Sequence, residues 1–216
     1  MRRVPFASTQ EIANATPAVT VHLRDGGLIA YPTETVYGLG CALRPAALAA
    51  LARLKHRPGG KPFLLLIEDR GVSGVHWTSP ARALAGRFWP GPLTLALQAE
   101  PEAFPPEVVS SAGAVAVRAS SHPAPRALVR ALGEPITSTS ANAPGEEPAR
   151  EPAAVERAFA TLGAEYANVW LLDGGTLPPS PPSTVVDCTA DPPRLIREGA
   201  IPRNELGRLI EEIDEG

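Results

Sequence analysis

The chain has 216 residues, of which 44% are hydrophobic and 20% are charged, so it is long enough to bury a core of its own. Its net charge of -3 excludes a protein that holds nucleic acid by overall charge, and any RNA contact would have to be a local patch. The two cysteines, Cys41 and Cys188, stand far apart, which indicates buried or idle thiols rather than a disulfide or zinc site. Neither a signal peptide nor a membrane-spanning run can be recognised, so the sequence predicts a cytoplasmic protein.

The predicted elements alternate along the chain between strands and helices, which is the pattern of a single α/β domain. Strands are predicted from short apolar or β-branched runs, and eight such runs indicate one large sheet. They lie at 28–31, 63–67, 93–97, 115–119, 136–140, 169–173, 184–188 and 194–197.

Helices are predicted from stretches rich in Ala, Leu and Arg. Most of them have a proline at or near the first turn, where its missing N–H costs nothing. Pro17 lies inside the first stretch, so we expect that helix to be split or restarted there. One domain is predicted at 8–202, with a C-terminal helix at 203–216 packed on it, and the proline-rich segment 178–183 predicts a loop that leads into the sheet. The helices are placed at 8–24, 45–55, 80–88, 123–132, 151–162 and 202–213.

The loop LKHRPGGKP contains Lys55 and Lys61, which are the only lysines among 20 basic residues. A chain that otherwise uses arginine keeps the compact ammonium group here, and this predicts an anion-binding loop. Gly59 and Gly60 would let the backbone approach a ligand. The alternative is a basic surface turn. The Gly-x-x-x-x-Gly-Lys-Ser/Thr spacing of a Walker loop is absent, and Pro62 cannot continue the helix that such a loop needs.

Two other segments place small polar residues at the ends of strands, where ligands bind in open α/β sheets. After the strand at 28–31 come Thr33, Glu34, Thr35 and Tyr37; the alternative is an ordinary turn with capping hydroxyls. The segment ITSTSAN alternates, so Ser138, Ser140 and Asn142 are predicted to share one face, where they would suit phosphate or carboxylate oxygens. The alternative there is an edge strand with a polar outer face.

Arg118 lies inside the apolar strand VAVRA, where an unpaired guanidinium would be costly. It is predicted to form a fork around a carboxylate, and the alternative is a structural ion pair. Ser183 opens the strand TVVDC, and Arg197 ends the last strand beside Gly199. These positions extend the set of polar groups at strand ends.

Seven segments occur in an order that resembles one family: YPTETVYGLG, LKHRPGGKP, FWPGPLTLAL, VAVR, STSANAPG, PSTVVD and LIREGAI. They are similar to the YrdC-like family, the threonylcarbamoyl-AMP synthases, over residues 12–202. The combination of Lys-x-Arg with Ser-x-Asn is the most specific part. The resemblance implies a single domain with a large twisted mixed sheet, helices on its faces, and a concave basic ligand cleft.

Members of this family join L-threonine, bicarbonate and ATP into threonylcarbamoyl-AMP and pyrophosphate. A separate transferase complex then passes the threonylcarbamoyl group to an adenosine of certain tRNAs. The resemblance therefore implies a nucleotidyltransferase that uses ATP with Mg²⁺ on its phosphates. It also implies a weak RNA or tRNA contact at most and no membrane partner.

The resemblance also implies two sets of binding residues, and it assigns catalytic charge stabilisation to Lys55, Arg57 and Lys61. The predicted ATP ligands are Lys55, Arg57, Lys61, Ser140, Asn142 and Arg197. The predicted L-threonine ligands are Thr33, Tyr37, Arg118, Ser138 and Ser183. Two departures stand out, since Pro144 replaces a serine that the family often has and Leu66 stands where some relatives have a histidine.

Two alternatives remain at this stage. The first is a carbamoyl-AMP-forming domain like that of hydrogenase maturation proteins, which shares the implied fold but belongs to long chains with zinc fingers. The second is a non-catalytic module that binds RNA or the ribosome. Net charge and an aromatic content of 5% argue against strong single-strand binding.

Overall fold

The structure is a computed structural model that describes residues 1–56, 61–143, 145–160 and 168–207. Within these ranges the chain forms one α/β domain, which confirms the predicted fold class. The strands are β1 (Arg2–Pro5), β2 (Leu28–Tyr31), β3 (Gly38–Cys41), β4 (Leu64–Leu66), β5 (Leu93–Gln98), β6 (Ala114–Arg118), β7 (Ile136–Ser140), β8 (Val169–Asp173), β9 (Thr184–Asp187) and β10 (Arg194–Arg197). The helices are α1 (Thr9–Arg24), α2 (Pro45–Leu54), α3 (Ser79–Phe88), α4 (Pro123–Leu132), α5 (Pro152–Phe159) and α6 (Arg203–Leu206).

The described strands form a single mixed sheet in the order β1-β8-β2-β3-β7-β4-β6-β5-β9-β10. Strand β7 is antiparallel to both of its neighbours, β3 and β4, whereas β4 and β6 are parallel, as are β5 and β9. Three strands contain predicted site residues. Strands β7 and β6 lie near the centre of the sheet, and β10 forms one edge.

The two faces of the sheet bury two separate hydrophobic cores, because successive side chains of a strand point to opposite faces. In β2, Leu28 and Ala30 pack in the core that includes α2, α3 and α5. Ile29 and Tyr31 pack in the core that includes α1 and α4. Helices α1 and α4 thus cover one face, and α2, α3 and α5 cover the other.

All eight predicted strands are present, with ends that differ by at most one residue, but β1 and β3 were not predicted. Strand β3 has the sequence GLGC, which lacks the residues that favour strands. Glycine is required at position 40, since a Cβ there would lie 1.8 Å from the carbonyl oxygen of Thr137. Strand β1 contains two arginines and a proline, which suit a sheet edge. Because β1 pairs with β8, the domain begins before residue 8, where its start was predicted.

The prediction that Pro17 splits the first helix was wrong, because α1 runs unbroken from Thr9 to Arg24. Proline removes the hydrogen bond to the carbonyl of Ala13, but both residues lie on the exposed side of α1, where water can satisfy that carbonyl. The start of α1 is fixed by a capping box, in which Ser8 accepts from the Glu11 N–H and the Glu11 carboxylate accepts from the Ser8 N–H.

The other helices begin at or next to the positions that the prolines predicted, while α5 ends earlier than expected. Helix α5 ends at Phe159, and α6 covers only Arg203–Leu206. The predicted continuation of α6 over 208–216 lies outside the described residues, so its packing stays a prediction. Segment 178–183 contains neither helix nor strand, as predicted. None of the described helices has the length and apolar character needed to cross a membrane.

Candidate active site

Lys55 follows the last residue of α2 and extends its ammonium group into the segment after β7. Its Nζ donates to the carbonyl oxygens of Ser140 at 2.9 Å and Asn142 at 2.5 Å, and to the side-chain oxygen of Asn142 at 3.2 Å. Only 7% of Lys55 is exposed. An ammonium has three donors in a compact group, which explains why this position contains lysine rather than arginine. Lys55 therefore joins α2 to the end of β7.

The Ser140 and Asn142 side chains lie next to each other, as the alternating pattern predicted, although β7 ends at Ser140 and Asn142 belongs to the following loop. The Ser140 hydroxyl donates to Asn142 Oδ1 at 2.6 Å, and Asn142 Nδ2 donates to the carbonyl of Glu146 at 2.6 Å. Together with Lys55 they form one hydrogen-bonded group, which we call the lysine network: Lys55, Ser140 and Asn142. This network fixes the backbone of the loop after β7.

A second group lies on the face covered by α1 and α4, since Arg118 is the cross-strand neighbour of Leu66, which packs in that core. Arg118 is 4% exposed, and its Nε lies 3.7 Å from Oε1 of Glu34. That distance is too long for a hydrogen bond. Both atoms are buried without a hydrogen-bond partner. We call these two residues the Glu34–Arg118 pair.

Ser120 and His122 hold the other side of the Glu34 carboxylate at the start of α4. The Ser120 hydroxyl donates to Glu34 Oε2 and accepts from the His122 N–H at 3.2 Å. The His122 ring nitrogen Nδ1 accepts from the Ala124 N–H at 3.2 Å, so His122 caps α4. Burial lowers the pKa of His122, and the Glu34 charge opposes this shift. His122 is therefore held as a neutral acceptor and not as a cation paired with Glu34.

Ser183 and Arg197 meet at the start of β9. Arg197 Nη2 donates to the Ser183 carbonyl at 2.9 Å, and the Ser183 hydroxyl lies 2.9 Å from the hydroxyl of Thr94. Glycine is required at position 199, because a Cβ there would lie 2.1 Å from the carbonyl oxygen of Pro182. The close approach of these backbones brings Arg197 to Ser183.

The charges of these groups influence one another. Burial lowers the pKa of Arg197, and the charge of Arg118 lowers it further. Burial raises the pKa of the Tyr31 hydroxyl, which donates to the Thr137 carbonyl at 3.1 Å, while the interaction with Ser138 and the charge of Arg118 oppose this shift. Two guanidinium groups, one carboxylate and several hydroxyls thus share one region. Among the described residues, Arg118 and Arg197 give this region its positive charge.

Two predicted threonine ligands use their hydroxyl groups within the fold. The Thr33 hydroxyl donates to the Val36 carbonyl at 2.7 Å and accepts from two backbone N–H groups of the same turn. The Tyr37 hydroxyl donates to the Gly175 carbonyl at 2.8 Å and accepts from the Gly174 N–H at 3.0 Å. Burial raises the pKa of Tyr37 to about 12. Both hydroxyls stabilise loops, and their role toward a ligand stays a prediction.

Several predicted positions fall elsewhere. Arg57 and Pro144 lie outside the described residues, together with Gly59 and Gly60. Lys61 is described and exposed. Leu66 is buried in the hydrophobic core beside α4, so it completes packing at the position where a histidine was expected in some relatives.

Sequence reasoning noted Glu34 at the end of β2 but did not assign it to the site, and it missed Ser120, Thr94 and Tyr31. Each of these becomes significant only through a partner on a distant strand or helix. Ser120 could have been suspected, since it stands three residues before the proline that starts α4 and is therefore near a helix N-terminus.

Comparison with known proteins supports one family. The Sua5, YciO and YrdC family model, described as "Telomere recombination", matches residues 21–199. A threonylcarbamoyl-AMP synthase of Thiobacillus denitrificans is 42% identical over 186 residues, which cover 84% of this chain and 95% of that protein. A threonylcarbamoyl-AMP synthase of Bacillus subtilis is 35% identical over 211 residues, which cover 94% of this chain.

The crystal structure of P. abyssi Sua5 complexed with L-threonine matches with a TM-score of 0.86 and 32% identity, and it covers 99% of this chain. The present chain spans 62% of that P. abyssi chain and 59% of the B. subtilis protein. Sequence, fold and the order of the motifs agree, and the chain belongs to the Sua5/YciO/YrdC family.

Proposed function

We propose that this chain is a threonylcarbamoyl-AMP synthase, a nucleotidyltransferase that joins L-threonine, bicarbonate and ATP and releases pyrophosphate. The proposal rests on one observation above the others: a buried guanidinium, Arg118, has an Nε without a hydrogen-bond partner that lies 3.7 Å from a carboxylate oxygen of Glu34. Such a site suits a small substrate with a carboxylate. The names of the T. denitrificans and B. subtilis relatives and the L-threonine complex of P. abyssi Sua5 support the same activity.

In this proposal L-threonine occupies the region of Arg118, Ser138 and Ser183, with its carboxylate on the Arg118 guanidinium. Thr33 and Tyr37 contribute by holding the loops on either side, since their hydroxyls are bonded to backbone groups. The buried position of Arg118 supports this role, because a guanidinium removed from water binds a carboxylate more strongly.

ATP is proposed to lie between the loop after β7 and Arg197. Ser140 and Asn142 would face its phosphates, while Lys55 contributes charge and keeps the loop in place through its three donors. Lys61 and Arg57 are proposed to complete the set of cations, of which Arg57 lies outside the described residues. Fixed positive charges of this kind stabilise the negative charge that grows in a phosphoryl-transfer transition state.

The proposed reaction has two steps. The amino group of L-threonine adds to carbon dioxide derived from bicarbonate and loses a proton, which gives a carbamate. A carbamate oxygen then attacks the α-phosphorus of ATP, the bond to the bridging oxygen breaks, and pyrophosphate leaves. The protein supplies position and charge rather than a nucleophile. Burial raises the pKa of Cys41 to about 11 and that of Cys188 to about 12, so both thiols stay protonated at neutral pH.

Mg²⁺ is proposed to enter with ATP, bound by the phosphate oxygens and water, which is its usual mode in nucleotide sites. The described residues fit this mode better than a protein cage, since they include no cluster of three or more His, Cys, Asp or Glu side chains. When bound, the ion would neutralise phosphate charge. Arg197 and Lys55 would orient the same phosphates from the protein.

The remaining partners follow from the chemistry of the product. Threonylcarbamoyl-AMP is an activated acyl donor, so a transferase complex that acts on tRNA is expected to use it. Direct contact of this chain with tRNA should be weak, because the net charge is -3. We propose that the protein works in the cytoplasm, where ATP and tRNA are present.

Pyrophosphate release tests the proposal. The purified protein with ATP, Mg²⁺, bicarbonate and L-threonine should release pyrophosphate and form threonylcarbamoyl-AMP in equal amounts, and omission of any one substrate should stop both. Pyrophosphate that forms from carbamoyl phosphate without L-threonine would instead identify a carbamoyl-AMP-forming domain. Tight tRNA binding with no pyrophosphate under either condition would identify an RNA-binding module.

A further inference from the structure

We propose that Glu34 is the subsite for the α-amino group of the substrate, which makes the site selective for amino acids over other carboxylic acids. This inference rests on the proposed function, because it concerns the same pocket. It adds a residue to which neither the sequence motifs nor the chemistry of ATP had given a role. The carboxylate oxygen Oε1 of Glu34 would accept a hydrogen bond from the substrate nitrogen while Arg118 binds the substrate carboxylate.

The first argument is the difference between this pair and the other ion pairs of the described residues. In each of the others, both side chains are at least 26% exposed, and all but one pair are within 3.0 Å. In the Glu34–Arg118 pair the side chains are only 14% and 5% exposed, yet the charged atoms stay 3.7 Å apart. A pair formed for stability alone would close this gap, because burial strengthens the attraction.

The second argument is the pattern of used and unused atoms. Glu34 Oε2 accepts a hydrogen bond from Ser120, and the Ser120 hydroxyl is oriented because it also accepts from the His122 N–H. The carboxylate is therefore held in place on one side. Its other oxygen, Oε1, is buried and has no hydrogen-bond partner, and the same is true of Arg118 Nε. Buried polar atoms of native proteins are nearly always satisfied, so a bound group is expected at this place.

The third argument is charge complementarity. An α-amino acid has a positive nitrogen and a negative carboxylate on the same carbon, so it matches a carboxylate and a guanidinium that lie side by side but do not bond to each other. The neighbouring His122 uses its Nδ1 as an acceptor for the Ala124 N–H, and no side chain of the described residues donates to Oε1 of Glu34. A substrate amino group is therefore the donor that Oε1 lacks.

The test is calorimetric binding of two ligands to the wild-type chain and to Glu34→Gln. The ligands are L-threonine and the matching 2-hydroxy acid, in which a hydroxyl replaces the amino group. Glu34→Gln keeps the shape of the side chain but removes its charge. We expect L-threonine to bind about 10- to 100-fold more weakly to this variant, as for loss of a charge-assisted hydrogen bond. Binding of the hydroxy acid should change by less than about 3-fold.

Glu134→Gln is the matched control, because Glu134 also pairs with an arginine, Arg44, but on the surface. It should leave both affinities unchanged. If Glu34→Gln weakens both ligands equally, Glu34 acts by holding Arg118 and the inference is wrong. An unchanged affinity for L-threonine would also overturn it. A wild-type chain that binds ATP but no L-threonine would overturn the proposed function itself, before any variant is compared.

Thermal unfolding of each variant shows whether it is folded. Should Glu34→Gln not fold, Glu34→Asp takes its place, since it keeps the charge but withdraws it from the ligand by one methylene. The selective loss of L-threonine affinity is then expected to be smaller, and equal loss for both ligands would again contradict the inference.

Discussion

The lysine network and the Glu34–Arg118 pair are both buried clusters of polar groups, but they differ in how well their atoms are satisfied. In the network, Lys55 makes three hydrogen bonds and Asn142 uses both of its side-chain polar atoms. In the pair, one oxygen of Glu34 and one nitrogen of Arg118 have no partner. A satisfied cluster stabilises the fold, whereas an unsatisfied one contains buried polar atoms that a bound ligand can satisfy.

This difference separates two kinds of residue that a motif places together. Lys55 and Arg118 are both cations in segments that resemble one family, and sequence alone assigned each of them to a ligand. In the structure, Lys55 holds the loop after β7 through its hydrogen bonds to Ser140 and Asn142. Substitutions should therefore affect mainly stability in the network and mainly affinity in the pair.

The largest effect is expected for Lys55→Met. The variant leaves the Asn142 carbonyl without its Lys55 donor in a buried place, and it removes one of two donors to the Ser140 carbonyl and to the Asn142 side-chain oxygen. These losses should lower the free energy of unfolding by about 3 kcal/mol. Urea unfolding measures it. Lys61→Met is the control, and because Lys61 is exposed, its unfolding free energy should change by less than about 1 kcal/mol. If the two variants lose equal free energy of unfolding, Lys55 in the lysine network is no more important for stability than the exposed Lys61, and the distinction is wrong.

Arg118→Ala should act mainly on affinity. Without the guanidinium, the Michaelis constant for L-threonine should rise about 100-fold, and that for ATP less than about 3-fold. Steady-state pyrophosphate release measures both constants. Arg130→Ala is the control, since it breaks an exposed pair with Glu68 and should change neither constant. Comparable rises for both substrates would show that Arg118 does not bind the threonine carboxylate.

A smaller effect is expected for Asn142→Ala, which removes an acceptor for Ser140 and Lys55 and a donor to the Glu146 carbonyl. The free energy of unfolding should fall by about 2 kcal/mol, with about half of that loss for Ser140→Ala. Urea unfolding of the two variants gives the ratio. A larger loss for Ser140→Ala would mean that Asn142 is not the centre of the network.

The smallest effect concerns pH and His122, next to the pair. Burial lowers its pKa below the ordinary 6.5, so its contribution to stability is fully present above pH 6.5 and is lost as the pH falls through the lower pKa of the folded state. Protonation also removes the acceptor for the Ala124 N–H, worth about 1 kcal/mol. His122→Asn should keep the cap and reduce the loss of stability between pH 7 and pH 5, as measured by urea unfolding. His76→Asn is the control, because His76 is exposed, and it should leave the loss of stability between pH 7 and pH 5 unchanged.

Much of the fold could be predicted because the signals are local. Short apolar runs gave eight strands to within one residue, and prolines marked the starts of helices. The two strands that were missed, β1 and β3, are determined by their neighbours: β3 contains Gly40 because the Thr137 carbonyl comes too close for a side chain. The prediction that Pro17 splits α1 was wrong for a related reason, since the effect of the proline depends on whether the freed Ala13 carbonyl faces water.

The candidate site was predictable only in part. The motifs singled out Arg118, Ser140 and Asn142 as candidate ligands, because unusual residue types stand at strand ends, and these roles stay predictions. They did not reveal that Glu34 and Arg118, far apart in sequence, would lie side by side with unpaired atoms. The assignment of Lys55 to phosphate alone also missed its bonds to the loop after β7.

The sequence by itself determined the family, the alternation of strands and helices, and the chemical character of the site, since these depend on residue type and local order. Only the tertiary structure decided which polar atoms are satisfied and which are left free, because hydrogen bonds between distant segments depend on the order of strands in the sheet. That order places the Lys55 ammonium at the loop after β7 and leaves Oε1 of Glu34 without a hydrogen-bond partner beside Arg118.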